Sequence, residues 1–193
     1  MHTSIQIIKQ EHLRLAALLQ CLDGIMQDVA AERAEPDFEL YYTVISYLEN
    51  FLFRYHHPKE DQILFPRLRA RFSEAEELTR DLEQQHERGD VLLDGIRNSL
   101  EMYERHGGDE QRVDFERAVH AYHQYEWEHM RREEVELLPL AREHLSEEDW
   151  QEINREFASN ADPLFGEETK EEFRRLFREI ANRAPSPHGL GGG

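Results

Sequence analysis

The chain predicts an all-α fold, an up-down-up-down four-helix bundle with two additional C-terminal helices, and three observations carry that expectation. Arg, Glu, Leu and Ala are abundant among the 193 residues, glycine is sparse outside the tail and β-branched residues are few. Four long stretches repeat apolar residues at spacings of three and four, which gathers them on one helical face. The connections between those stretches are short, and short connections join antiparallel neighbours. The length suits one domain with an ample core.

The first helix is expected from about Thr3 to Ala31, opened by a Thr3-x-x-Gln6 capping box. Its stripe of Ile5, Ile8, Leu15, Leu19, Leu22 and Met26 is interrupted by His12. Pro36-Asp37 marks the turn into a second helix, from about Phe38 to Arg69, which Pro58 and Pro66 are expected to kink. Ser73-x-x-Glu76 reads as a second capping box, before a third helix from about Glu74 to Arg105 with Leu82, His86, Leu93, Ile96 and Leu100 inward. Gly107-Gly108 breaks it. The fourth helix, about Glu110 to His144, puts Tyr122, His129, Glu133 and Leu140 on one line. Ser146 and Asp149 cap a fifth helix to about Phe157. After a loop at Asn160–Pro163 a sixth runs from about Glu167 to Arg183. Residues 1–183 thus read as one domain, with the bundle at about 3–145 and the extra helices at about 147–183. The Pro/Gly-rich stretch 184–193 is expected to be a disordered tail.

Composition narrows the function classes. A net charge of -18 argues against binding a phosphate backbone, so no nucleic-acid partner is expected. Cys21 stands alone, which rules out an internal disulfide and any cysteine-based metal site and leaves it a packing role. No stretch has the roughly 20 continuous apolar residues of a membrane span. Helical patterning begins at once, without a signal peptide, and the cytoplasm is the default location.

The most informative feature is an internal repeat. His56-His57-Pro58-Lys59-Glu60 leads to Leu64-Phe65-Pro66, and His129-Met130-Arg131-Arg132-Glu133 leads to Leu137-Leu138-Pro139. In each phrase a His stands four residues before a Glu, and a Pro follows six residues after that Glu. A lone His precedes each phrase at nearly equal distance, His12 by 44 residues and His86 by 43. A helix turns about 100° per residue, so residues four apart share a face. Four inward faces then converge four imidazoles and two carboxylates on one point. A lone buried His is usually a packed core residue, but six such groups without a cation cost several kcal/mol each to bury. The set therefore reads as a metal site for two ions. Imidazole and carboxylate without thiolate suit iron or manganese, with zinc as a substitute.

These phrases resemble the bacterial hemerythrin-like proteins, the His-His-Glu cation-binding domain family, over about residues 5–145. The resemblance implies that His12, His56, Glu60, His86, His129 and Glu133 ligate a carboxylate-bridged non-haem centre of two irons per chain. The implied partner is a small diatomic or peroxide ligand. Two departures from the oxygen carriers matter. Asp90 stands where they have a second His four residues after the third-helix ligand, which exposes one iron further. The carriers also place the fourth-helix carboxylate five residues after its His, the position of Glu134, whereas Glu133 matches the repeat.

Other pairings compete. His57 and Asp61 are also four apart, but the Pro66 offset selects His56 and Glu60 and leaves His57 exposed or behind the ligands. Glu83-x-x-His86 and Glu126-x-x-His129 have the spacing of ferritin-like di-iron proteins, yet they fall on consecutive helices. Glu49 and Tyr122, each seven residues before a site His, are expected inward near the site. His120, His123, His106, His144, His2 and His188 are expected to be ordinary surface residues. Two functions follow. One is uptake of dioxygen, nitric oxide or peroxide for storage, delivery or sensing. The alternative is a di-iron enzyme acting on peroxide or nitric oxide, or repairing damaged iron centres.

Overall fold

Five helices and no strand make up residues 3–159, the part of the chain that the computed structural model describes. The expected loop at Asn160–Pro163, the sixth helix and the tail lie outside these residues. Helix α1 spans Thr3–Ala30 and buries Ile5, Ile8, His12, Leu15, Leu19, Leu22 and Met26. Thr3 already lies within the helix, so it does not act as the N-cap of a capping box. Asp37 caps α2, residues 38–71, by accepting the Leu40 N–H at 3.0 Å. Helix α3 spans Ala75–His106 with Leu82, His86, Leu93, Ile96 and Leu100 buried. Its expected capping box is not formed, because the Glu76 N–H bonds the Ser73 carbonyl at 3.1 Å within a turn. Gly107 and Gly108 end α3 at φ 62° and 89°, a region where a Cβ is strained.

Helix α4 covers residues 109–144 and α5 spans Glu147–Ser159. The cap of α5 forms as expected: the Asp149 N–H donates to Ser146 Oγ at 3.2 Å and the Ser146 N–H to Asp149 Oδ2 at 2.9 Å. Arg71 at the end of α2 donates to both oxygens of the same carboxylate, at 2.8 and 2.9 Å. These hydrogen bonds from Arg71 and then Ser146 hold the Asp149 carboxyl at about 2.

Residue pairs fix how the helices pack. His12–Glu134 and Asp23–His123 climb α1 while descending α4. Arg69–Glu83, Asp61–His86 and Glu49–Arg97 relate α2 to α3 in the same sense, as Arg132–Asp81 and Tyr103–Phe115 relate α3 to α4. Each of these pairs of neighbours is therefore antiparallel.

Inside α2 and α4 the prolines act differently from simple kinks. Pro58, Pro66 and Pro139 each follow a five-residue π-helical turn: Leu52–His56, Glu60–Leu64 and Glu133–Leu137. The residue before each proline reaches back five positions, His57 N–H to the Leu52 carbonyl, Phe65 to Glu60 and Leu138 to Glu133. Proline removes one donor and its ring crowds the carbonyl four residues earlier. A wider preceding turn relieves that crowding and keeps the helix continuous.

A five-residue turn reaches the buried face one residue late. Phe51 and Leu52 are therefore continued five positions on by His56 and His57, and all four are buried. Glu49 leaves the interior for the same reason. It is held outside the cluster by Arg97, at 3.0 and 2.5 Å, contrary to its expected inward place. In α4 the phase slip buries Leu138 and Ala141 and leaves Leu140 only half-buried. Two apolar clusters result. One joins Leu18, Leu22, Val44, Leu48, Ile96 and Tyr122. The other joins Ile8, Leu64, Phe65, Leu82, Leu138 and Trp150. Along every long helix a polar layer separates them.

Candidate metal centre

That layer contains every residue the sequence nominated. Helix α1 supplies His12, α2 supplies His56 and Glu60, α3 supplies His86, and α4 supplies His129 and Glu133, all buried. They fall into two overlapping groups, His12, His56, Glu60 and Glu133 on one side and Glu60, His86, His129 and Glu133 on the other. Within each group the ligand-type atoms lie within 4.8 Å of one another. The two carboxylates are common to both.

Glu133 shows the sharing atom by atom. Its Oε2 is 3.0 Å from His12 Nε2, while Oε1 is 3.2 Å from His129 Nε2 and 3.7 Å from His86 Nε2. Glu60 Oε2 lies between the two sides, 3.7 Å from His56 Nε2 and 3.6 Å from His86 Nε2. The choice between Glu133 and Glu134 is visible in burial. Glu133 is fully enclosed, whereas Glu134 is about one-third exposed and accepts a hydrogen bond from His12 Nδ1 at 3.0 Å.

Whether these donors fit a metal is tested by their unmet hydrogen-bonding capacity. His12 Nε2, His56 Nε2, His57 Nε2 and both oxygens of Glu60 and of Glu133 are buried and make no well-aligned hydrogen bond; what Glu133 faces, at 3.0 and 3.2 Å, are the inward nitrogens of His12 and His129. His86 Nε2 and His129 Nε2 face each other at 3.2 Å, with Glu133 Oε1 between them and the α1 side. An unsatisfied buried polar atom costs about 1–3 kcal/mol. So many orphaned lone pairs facing one point are a destabilising arrangement unless a cation occupies it, and the donors fit one.

The outward nitrogens are, by contrast, well held. His12 Nδ1 donates to Glu134, His56 Nδ1 to Glu11 at 3.0 Å, His86 Nδ1 to Asp61 at 2.8 Å and His129 Nδ1 to the side-chain Oε1 of Gln85 at 3.0 Å. Such bonds fix the tautomer and turn Nε2 inward. Lys9 pairs with Glu134 at 3.1 Å, and the buried Lys59 pairs with Glu11. In the metal-free protein burial, Glu133 and Asp61 push the Glu60 carboxyl up. Burial also opposes the His86 imidazolium, but the hydrogen bond to Asp61 and the nearby Glu133 carboxylate outweigh it and raise His86 to about 9.

Of the two places the sequence left for His57, exposed or behind the ligands, the structure removes the first. His57 is buried, and its ligand nitrogen forms a third close group with those of His86 and His129. Burial, and then the positive charge shared by His86, His56 and His129, holds it well below the usual imidazole range. Two adjacent histidines cannot share a face in a regular α-helix, so the repeat offset excluded one. The proline two residues after His56 was the available signal, because it widens the turn that presents both.

A family comparison decides what kind of domain this is. The model of the hemerythrin HHE cation binding domain matches residues 3–141. The chain belongs to that family. No curated protein and no solved structure matches it. An HHE domain binds metal cations, and the buried His/Glu cluster occupies the interior of the matched segment.

Several neighbours of the HHE cluster remain. Asp90 joins none of the three groups; it is half-buried with Oδ1 unpartnered, and burial raises its carboxyl to about 6. Tyr122 is fully buried as expected, and burial and then Glu126 push its phenol up. The ferritin-like alternative finds no support, since Glu83 turns to Arg69 at 2.8 Å and Glu126, though buried, joins no group. His123 is not a free surface residue but pairs with Asp23, and His144 stacks on Phe72 at 3.8 Å. Cys21 is packed in the core. No helix of the described residues is long and apolar enough to cross a membrane.

Proposed function

We propose that this HHE domain holds two iron ions, with Glu60 and Glu133 bridging them, and takes up dioxygen or a related small ligand such as nitric oxide or peroxide. The observation that carries this reading is the division of Glu133, whose two oxygens face different imidazoles. A carboxylate placed in this way would offer one oxygen to an ion on each side. Imidazole and carboxylate donors without thiolate favour iron or manganese. When bound, such a pair supplies electrons and an open coordination position for a small ligand.

The chain's own residues prepare that chemistry. Glu134, Glu11, Asp61 and Gln85 orient the imidazoles, so the inward lone pairs are set before metal arrives. The apolar clusters on either side keep the buried layer out of contact with bulk water. Storage, delivery or sensing needs nothing further from the site, whereas an enzyme needs turnover. Metal analysis of protein produced with iron is expected to find two irons per chain. Stopped-flow mixing of the reduced, iron-loaded protein with oxygen and with peroxide is expected to give a persistent, reversible adduct. Rapid oxidation with repeated turnover supports the enzymatic alternative instead, and a folded chain without stoichiometric metal overturns the reading.

A further inference from the structure

We infer that Asp90 and Glu126 form the entrance to the metal centre, where a divalent cation leaves water on the Asp90 carboxylate and is handed by Glu126 to His86 and His129. The inference rests on the metal-centre reading above and holds for one ion or two. Neither carboxylate belongs to the ligand groups themselves.

Helical register places the two carboxylates together. His86 and His129 face each other at 3.2 Å, and Tyr103 meets Phe115 further along the same antiparallel pair of helices. Asp90 follows His86 by four residues and Glu126 precedes His129 by three. Both therefore lie about one turn, or about 5 Å, from the two imidazoles and on the same side of them. Tyr122 comes one turn further along α4. Glu126 is 2% exposed and Tyr122 0%, and the buried atoms Glu126 Oε1, Tyr122 Oη and Asp90 Oδ1 make no well-aligned hydrogen bond. Burial, then Glu126 and then Asp90 push the Tyr122 phenol up, so the three groups are within electrostatic reach of one another. Asp90 links them to solvent. It is only half-buried, and the exposed Asp94 stands four residues on.

Charge separates this approach from the others. Behind His12, Glu134 is paired with Lys9, and behind His56, Glu11 is paired with Lys59. An ammonium group at each place repels an arriving cation. Carboxylates along the α2–α3 flank are matched as well, Glu49 by Arg97 and Glu83 by Arg69. Among the described residues Asp90 and Glu126 form no salt bridge. A passing proton neutralises one carboxylate, whereas a divalent ion between them answers both. The net charge of -18 draws cations toward the molecule, and an unneutralised acidic recess concentrates them at one place.

Stopped-flow mixing of the full metal-free chain with Co(II), followed by absorption, tests this. Asp90→Asn and Glu126→Gln are each expected to slow uptake about tenfold or more. Release to excess chelator is expected to slow by the same factor, so that Kd and stoichiometry stay parental. Glu87→Gln, which removes a charge from the exposed side of α3, is expected to load at the parental rate. Parental uptake rates in both route variants overturn the entrance while the metal reading stands. A fall in affinity or stoichiometry in Asp90→Asn overturns it too, by making Asp90 a ligand. Equal slowing in Glu87→Gln reduces the effect to surface charge and refutes the route. A parent that takes no Co(II) overturns the metal reading itself. Should Glu126→Gln lose its helical circular dichroism, the half-buried Asp90→Asn decides alone.

Discussion

The carboxylates behind the imidazoles set what single substitutions do. Of the three lysines in the sequence, Lys9 and Lys59 contact the carboxylates behind His12 and His56. Lys59 and Glu11 are both buried, so removing one partner strands a charge, at about 3–5 kcal/mol. Lys59→Met is expected to lower the melting temperature by on the order of 10 °C, given about 2–4 °C per kcal/mol for a domain of this size. The double variant Lys59→Met/Glu11→Gln, which keeps an acceptor for His56 Nδ1, recovers most of the loss. If it melts as low as the single variant, the cost lies in packing rather than charge. His86→Ala and His129→Ala are each expected to strip or cripple metal binding, because each removes an inward nitrogen from the shared group. His123→Ala loses only its pairing with Asp23 and is expected to keep the metal content of the parent. Elemental analysis of the three purified proteins checks both expectations.

At the scale of elements, what the sequence made legible depends on where regular helical phase holds. Helices α1 and α3 and the first part of α4 are regular, so His12, His86, Tyr122 and His129 were placed correctly by counting about 100° per residue. The π turns break that count, and the misplaced residues Glu49 and Leu140 lie just before or beyond a proline-marked stretch. The repeat still found Glu60 and Glu133 because each heads a π turn six residues before a proline, so both halves slip together. Capping was legible where side chains close both bonds, as at Ser146 and Asp149, and misleading at Ser73, where the main chain forms the turn. The α5 cap also carries a pH prediction. Asp149 is depressed to about 2, so its contribution to docking α5 is fully present above the ordinary 3.8 and is lost as pH falls through about 2. Trp150 is buried beside it, and the exposed Trp127 can be replaced by Phe to leave one reporter. The Trp150 emission is expected to shift red only toward pH 2. In Arg71→Gln the shift moves up toward 3.8, and an unchanged midpoint shows that Arg71 does not hold the carboxyl down.

For the whole molecule, the polar layer between two apolar clusters makes the metal part of the fold's stability. Four helices meet at the layer, and without a cation it gathers orphaned nitrogens and oxygens that oppose their approach. A ligand that binds only the folded state stabilises it by about 2.7 kcal/mol at a hundredfold excess over its Kd. For this size of domain that corresponds to about 5–10 °C per ion. Chelation is therefore expected to lower the melting temperature by that amount for each ion removed, and iron to restore it. The loss should be uneven along the chain. Amides in Leu52–His56, Glu60–Leu64 and Glu133–Leu137 have π-helical bonding and sit at the layer, so their hydrogen-exchange protection falls first. Amides around Leu18, Ile45 and Ile96 lie within an apolar cluster that needs no metal, and their protection is expected to fall only with global unfolding. Hydrogen exchange followed by mass spectrometry before and after chelation separates the two. Equal loss at both places means that the cores depend on the metal as much as the layer does, and the layered account of stability fails.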